Sequence, residues 1–208
     1  GRMPVRITTR DASIDRWTAR LGEAQGDPGG GAAAGVMLAL AAGLISMVAG
    51  YSDATEVRER ARVLRDQALT AADADAAASA AFGAAFRRDD DGRAAAIRAA
   101  SLEAARSSAH LGERARAAIP DLEHLAAHGD PTLVADVAVA AAALRAALAS
   151  ARTNLSYDLA TLRSAGLSLD EVRAAHPDLW ASVAGLDDAI ARVDGLTDRI
   201  DDRAAPTD

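Results

Sequence analysis

The chain has 208 residues, of which 50% are hydrophobic and only 3% aromatic, and it carries a formal net charge of −7. This charge argues against non-specific nucleic-acid binding, and the absence of cysteine excludes disulfides, thiolate nucleophiles and cysteine metal sites. Most of the hydrophobic residues are alanine, the best helix former, and β-branched residues are sparse. We therefore expect an all-α protein, and we place it in the cytoplasm, since a cysteine-free chain suits a reducing compartment.

The first predicted helix follows the candidate N-cap Ser13. Ile14, Trp17 and Leu21 then recur at helical spacing.

The stretch Gly31–Gly50 contains no charged side chain and has the length of a membrane span. It begins well inside the chain, after a segment of mixed charge, so it is not a signal peptide. Alanine and glycine fill more than half of it, and no positive cluster flanks it. We predict a buried helix, hydrophobic all round, that starts with Asp27 as cap and Pro28 at the first position.

The other predicted helices begin at a capping residue or proline and end at glycine or proline. They cover about 53–88, 93–118, 120–129, 131–165 and 177–203, with a short capping-box helix after Ser168. Asp53 is the expected cap of the first of these. In the last helix, apolar residues alternate at four- and three-residue spacing, with Thr197 filling one step. These apolar residues form a seam along one side of the helix, which packs either against the other helices of the same chain or against a second subunit.

The pattern shows no β signal, no repeat and no second domain. We expect a single-domain bundle of long helices, residues 13–203, with two Ala-rich helices at its centre. Residues 1–12 are interpreted as an expression scar at Gly1–Arg2 followed by an extension, and residues 204–208 as a tail.

Isolated polar residues on apolar helices are the candidates for chemistry. Asp136 stands among apolar neighbours, where a carboxylate must be paired or hydrogen-bonded. It either caps or hydrogen-bonds locally near the helix start, or it stabilises a cation or transfers a proton. Asp73 and Asp75 are two residues apart and point about 200° from each other, so one can face solvent and the other the bundle. His124 and His128 share a helix face but lack an HExxH pattern, and we expect no metal site.

The glycine-rich turn before the Ala-rich helix is a second kind of candidate. Its backbone N–H groups offer an anion site at a helix N-terminus. The alternative is that the glycines serve close helix packing alone.

Three segments carry a resemblance to a known family. DPGGGAAAGVMLALAAGLISMVA, ADADAAASAAFGAAF and GDPTLVADVAVAAAALRAALASARTNL resemble, in order and spacing, the motifs of the cyclodeaminase/cyclohydrolase family over about residues 13–165. The chain departs from the family pattern at Ala32 and Ala135, where the family has serine, at Ala78, where it has phenylalanine, and at Ser108, where it has proline.

The resemblance implies an all-helical homodimer that takes a tetrahydrofolate derivative as substrate, with no permanently bound cofactor and no nucleic-acid or membrane partner. Family members convert 5-formiminotetrahydrofolate to 5,10-methenyltetrahydrofolate and ammonia, or open the methenyl form to 10-formyltetrahydrofolate.

The resemblance also suggests roles for individual residues. Asp136 and Asp75 are expected to act as acid and base. Arg152 and the amides of Gly29, Gly30 and Gly31 would hold carboxylates or the pterin, and Asn154 would bind the pterin ring.

The sequence leaves the two reactions open. The absence of a fused formiminotransferase domain favours a stand-alone cyclohydrolase slightly. The alternatives are a member that cyclises another imine or amidine, a non-catalytic helical dimer or scaffold, and a membrane protein.

Overall fold

The computed structural model describes residues 7–204 and 206, and over that range the chain is helical without a β-strand. Its α-helices are α1 Ile14–Leu21, α2 Gly30–Tyr51, α3 Thr55–Arg87, α4 Arg93–Ala117, α5 Ile119–His128, α6 Val134–Thr161, α7 Leu169–Ala175 and α8 Pro177–Ala204. Short 3-10 turns flank α6 at Pro131–Leu133 and Leu162–Ala165. The predicted all-α single domain is confirmed.

Of the four capping residues named from the sequence, two are confirmed and two are wrong. The Ser13 side chain accepts a hydrogen bond from the Arg16 backbone N–H, and Ser168 forms a capping box. Asp27 does not cap α2, because the N-cap residue is Gly29, whose backbone is extended, and the helix begins only at Gly30. Asp53 lies in the tight turn between α2 and α3 with a φ of 53°, so the cap position of α3 falls one residue later.

Four long helices form the centre of the molecule. α2 packs against α3 and α6, and α4 completes the ring by packing against the same two helices. α8 lies on α6 and α4, and α5 packs across the end of the bundle. The largest fully buried side chains include Leu38, Ile45, Leu144 and Leu148, so the two Ala-rich helices supply the core as expected.

Small residues set the spacing of α2 and α3. A Cβ added at Gly35 would lie 2.9 Å from the Ala72 Cβ and 3.0 Å from the Ala68 carbonyl oxygen. Both alanines are fully buried. The two backbones therefore approach too closely for any larger residue at position 35.

α2 is not buried all round, which corrects the prediction for this stretch. Leu40, Met47 and Tyr51 are 58%, 39% and 70% exposed on one side of the helix. α6 has a comparable outer side, where Val139 and Tyr157 are exposed. Both stretches are long and apolar enough to span a membrane by length and composition, yet each buries only its inner side in this chain.

The seam of α8 packs on its own bundle. Leu179, Leu186, Val193 and Ile200 are buried, where α8 meets α6 and α4. Leu196 supplies the buried step that the spacing had placed at Thr197.

The segment before α1 is attached to α3. The Thr9 backbone N–H donates to Asp73 Oδ1 at 2.8 Å, and Arg10 forms an ion pair with Asp66 at 2.9 Å. Asp73 thus holds the N-terminal segment while Asp75 points elsewhere. The predicted scar at Gly1–Arg2 lies outside the described residues.

We expect Gly35→Ala to lower the free energy of unfolding by about 1–3 kcal/mol, because the added methyl overpacks the α2–α3 contact. Gly195→Ala is the matched control. Its new Cβ would meet only Arg199 Nη1 at 3.5 Å, and the gain in helix propensity should stabilise the protein by about 0.5–1 kcal/mol. Urea unfolding checks both; equal effects of the two variants would contradict the close-packing argument.

Candidate functional site

A cavity of about 220 Å³ opens where the N-terminus of α2 meets the later parts of α3 and α6 and the middle of α4. Its lining combines two carboxyl groups with hydroxyl, amide and aromatic side chains, from Gly30, Gly31, Asp75, Ala78, Ser79, Phe82, Ala104, Ser108, Asn154, Tyr157 and Asp158. Depressions of about 400 and 690 Å³ elsewhere along α3 and α4 are larger. Neither of them brings together two carboxyl groups that lack a basic partner, so the smaller cavity is the candidate site.

The Asp75 carboxylate lies directly against the first turn of α2. A Cβ at Gly31 would overlap both carboxylate oxygens of Asp75, so only glycine fits there while Asp75 holds this position. The Ala32 backbone N–H donates a hydrogen bond to the same carboxylate. The anion site predicted at this helix N-terminus is therefore occupied by the protein's own carboxylate.

The environment of Asp75 acts on its pKa in two directions. Burial raises the pKa above its ordinary value, while hydrogen bonds from the Ser79 side chain and the Ala32 amide lower it in part. The nearby charge of Asp27 adds to the increase. The two donors thus favour the ionised form, while burial and Asp27 favour the protonated form, and the net result is a raised pKa.

Asp158 supplies the second carboxyl group of the cavity. Burial and the charge of Asp75 raise the pKa of Asp158 from 3.8 to about 7, against a hydrogen bond with Ser108 that lowers it. The charge of Asp75 therefore favours the protonated form of Asp158, which leaves an acid beside a second carboxyl in the same cavity. Such a pair can donate a proton and accept one at the same site.

Several residues predicted from the sequence meet in this cavity. Asp75, Gly30, Gly31 and Asn154 line it, and Gly29 is the N-cap residue of α2 next to it.

Asp136 is not brought to Asp75 within the chain. It lies in the first turn of α6, 22 positions before Asp158. At 1.5 Å per residue this is about 33 Å along the helix axis. The structure pairs Asp75 with Asp158 instead.

Arg152 also lies away from the cavity. Its Nε donates to Asp187 of α8 at 2.8 Å. Arg152 and Asn154 are two residues apart, so their side chains point about 200° from each other, and only Asn154 faces the site.

The sequence analysis missed four residues of the cavity that have polar side chains, Ser79, Ser108, Tyr157 and Asp158, and the helical period contains a signal for two of them. Asp158 follows Asn154 by four residues, and Ser79 follows Asp75 by four, so each lies on the same helix face as a candidate. Ser108 was noted as a departure from the family pattern but was given no role.

Histidines contribute nothing to this site. The rings of His124 and His128 are 5.2 Å apart at the end of α5. Among residues 7–204, no three histidine or carboxylate side chains come together as metal ligands.

A protein family and a solved structure match this chain, and the solved structure has a similar fold. The model of the family described as formiminotransferase-cyclodeaminase matches residues 13–168, more than half of the chain. The crystal structure of a formiminotetrahydrofolate cyclodeaminase from Thermotoga maritima is similar in fold, with a TM-score of 0.74, 21% sequence identity, and coverage of 93% of this chain and 96% of that one. No curated protein matches the sequence. From the family match, the chain belongs to the formiminotransferase-cyclodeaminase family.

Proposed function

We propose that the protein converts 5-formiminotetrahydrofolate to 5,10-methenyltetrahydrofolate and ammonia. The observation that supports this is the pair of half-buried carboxyls, Asp75 and Asp158, which share one cavity at the N-terminus of α2. The family match makes a reduced folate the expected substrate. The cyclodeaminase reaction needs an acid and a base on one carbon centre, which this pair supplies.

The two carboxyls are assigned different roles. Asp158 is protonated up to about pH 7, so it donates a proton to the formimino nitrogen as N10 attacks the formimino carbon. Asp75, whose ionised form is favoured by its hydrogen bonds with Ser79 and Ala32, accepts the N10 proton. Asp75 then returns that proton to the amino group, which leaves as ammonia, and solvent reprotonates Asp158.

The product supports the same arrangement. The methenyl group is an amidinium cation, and a carboxylate in a partly desolvated cavity stabilises the positive charge that develops as ammonia leaves. The amides at Gly29–Gly31 and the Asn154 side chain are assigned to the pterin ring. Arg152 is not, because its guanidinium is engaged by Asp187.

The first assay follows the near-ultraviolet absorption of the methenyl form. A faster rise from 5-formiminotetrahydrofolate than in the blank supports the proposal. Faster decay of methenyltetrahydrofolate, with no activity on the formimino substrate, would replace it by the cyclohydrolase reaction at the same pair. Two traces that follow their blanks would exclude both folate reactions.

Replacing either carboxyl should abolish most of the turnover. We expect Asp75→Asn and Asp158→Asn to lower kcat by roughly 10²–10⁴-fold, the usual contribution of a general acid or base. Asp194→Asn is the control, because it also removes one carboxylate charge but lies on the surface in an ion pair with Arg145. Steady-state kinetics on purified, folded variants provide the measurement.

Asp136→Asn distinguishes two assignments. The sequence suggested Asp136 as the partner of Asp75, whereas the structure places Asp158 beside Asp75. Turnover close to that of the unmodified protein is the expected result. A loss in Asp136→Asn that equals the loss in Asp158→Asn would overturn the assignment to Asp158.

The raised pKa of Asp158 predicts how stability depends on pH. A carboxyl whose folded pKa of about 7 exceeds its ordinary value of 3.8 contributes stability that is fully present below about pH 4 and lost as the pH rises through about 7. Asp158→Asn cannot ionise. The melting temperature of this variant, relative to that of the unmodified protein, should therefore be higher at about pH 8.5 than at about pH 5. Thermal unfolding at both pH values checks this, and a difference that stays constant would contradict the raised pKa.

We also propose that the chain forms a homodimer through the outer sides of α2 and α6. These sides carry the large exposed apolar residues Leu40, Met47, Tyr51 and Val139, and exposed patches of this kind mark interaction surfaces. Tyr157, on α6, is 64% exposed and also lines the cavity. A second copy on this side would therefore cover the apolar stripe and border the cavity at Tyr157.

Leu40→Glu should convert the dimer to monomer, because it places a charge in an apolar interface. Val63→Glu is the matched control. Val63 is 56% exposed, against 58% for Leu40, but lies on α3. Sedimentation velocity distinguishes the two. A dimer that withstands Leu40→Glu, or is lost equally in Val63→Glu, would contradict this interface.

A further inference from the structure

The candidate cavity is smaller than the sites that usually enclose a ligand of the size proposed for it. Its volume is about 220 Å³, whereas sites for drug-sized ligands span about 300–1,000 Å³. A folate consists of a bicyclic pterin, an aminobenzoyl ring and a glutamate. With the pterin beside the two carboxyls, the aminobenzoyl ring and the glutamate must lie outside the cavity, on the surface at its mouth.

The aromatic residues at this mouth are unusual for the chain. The protein has only two phenylalanines, and both are on α3, one helical turn apart. Phe82 lines the cavity, and the ring centroid of Phe86 lies 4.8 Å from that of Phe82. Both rings are only half-buried, while the buried residues of the main core cluster are leucine, isoleucine, valine and alanine. The two rings therefore form an aromatic surface that continues out of the cavity.

A cation lies at the outer end of this surface. The guanidinium carbon of Arg93, in the first turn of α4, is 5.7 Å from the Phe86 ring centroid. Arg93 Nη2 donates to the Phe86 carbonyl oxygen at 3.4 Å, which fixes the side chain over the ring. In the described part of the chain Arg93 has no carboxylate partner within 4.0 Å, whereas its neighbour Arg88 is bound to Asp90.

We propose that Phe82, Phe86 and Arg93 form a subsite for the aminobenzoyl-glutamate part of the substrate. The benzoyl ring stacks on the phenylalanine rings, as aromatic pairs do at centroid distances of about 4.5–7 Å. Arg93 binds the glutamate carboxylate, for which a planar guanidinium is the preferred partner. This subsite rests on the proposed folate function and deepens it.

A purely structural role for the three residues is the competing explanation. Phenylalanines four residues apart stabilise a helix by about 0.2–0.5 kcal/mol, and an arginine over a ring adds a modest cation–π contact. A structural role would affect unfolding but would not distinguish ligands with and without a glutamate. The test therefore compares ligands as well as variants.

The experiment measures equilibrium binding by calorimetry, which does not depend on turnover. Two ligands are used: 5-formyltetrahydrofolate, and its analogue with the glutamate replaced by a neutral N-methyl amide. We expect Arg93→Gln to raise Kd for the first ligand by roughly tenfold or more and to leave Kd for the second nearly unchanged. Arg98→Gln is the control, because Arg98 is an exposed arginine on the same helix outside the subsite.

Phe86→Leu and Phe86→Ala test the aromatic surface. Leucine keeps an apolar side chain but removes the ring, so both variants should weaken both ligands, by about threefold to tenfold. Thermal unfolding shows whether each variant is folded, and Phe86→Leu remains informative if Phe86→Ala does not fold.

The failures of the two proposals are distinguishable. If the unmodified protein binds and converts reduced folate while Arg93→Gln binds both ligands as tightly as Arg98→Gln does, the subsite is wrong and the function stands. An equal loss for both ligands in Arg93→Gln would also overturn the carboxylate role. If the unmodified protein binds no reduced folate, the proposed function fails first.

Discussion

The contact between the Asp75 carboxylate and the first turn of α2 is the constraint on which the rest of the site depends. It requires a glycine at position 31, because any side chain there would overlap the carboxylate oxygens. It also requires α2 and α3 to pack closely, which the Gly35–Ala72 contact provides one turn further on. A carboxylate at a helix N-terminus is favoured by the free amides and the helix dipole. The same contact therefore fixes the helix pair and places a buried carboxyl in the cavity.

Alanine has two consequences in this fold. On the inner sides of α2 and α6 it lets the helices approach closely and leaves the packing to a few large residues such as Leu38 and Leu144. On the outer sides it leaves an apolar surface from which Leu40 and Met47 protrude. A helix that is apolar all round can serve a core and an interface together, and the half-exposed α2 is consistent with that use.

The environment of the two carboxyls makes them chemically unequal. Asp75 receives two hydrogen-bond donors, whereas Asp158 receives one and faces the charge of Asp75, which raises the pKa of Asp158 to about 7. The donors include Ser79, on the same helix as Asp75, and Ser108, on α4. Four helices thus contribute to the surroundings of one pair of carboxyls, and the distance between the helices controls how strongly the two groups influence each other.

The sequence by itself determined the helical class, the helix order and most boundaries, since alanine content, periodicity and capping residues act over a few residues. It also named Asp75, Asn154 and the glycines as candidates, and the structure places Asp75, Asn154, Gly30 and Gly31 around one cavity. Only the tertiary structure decided that Asp158, and not Asp136, lies with Asp75. Both aspartates are on α6, and helix periodicity says which side a residue faces but not which neighbouring helix stands opposite at that height. That choice depends on how α2, α3 and α4 pack around α6, a long-range property that local patterns do not contain.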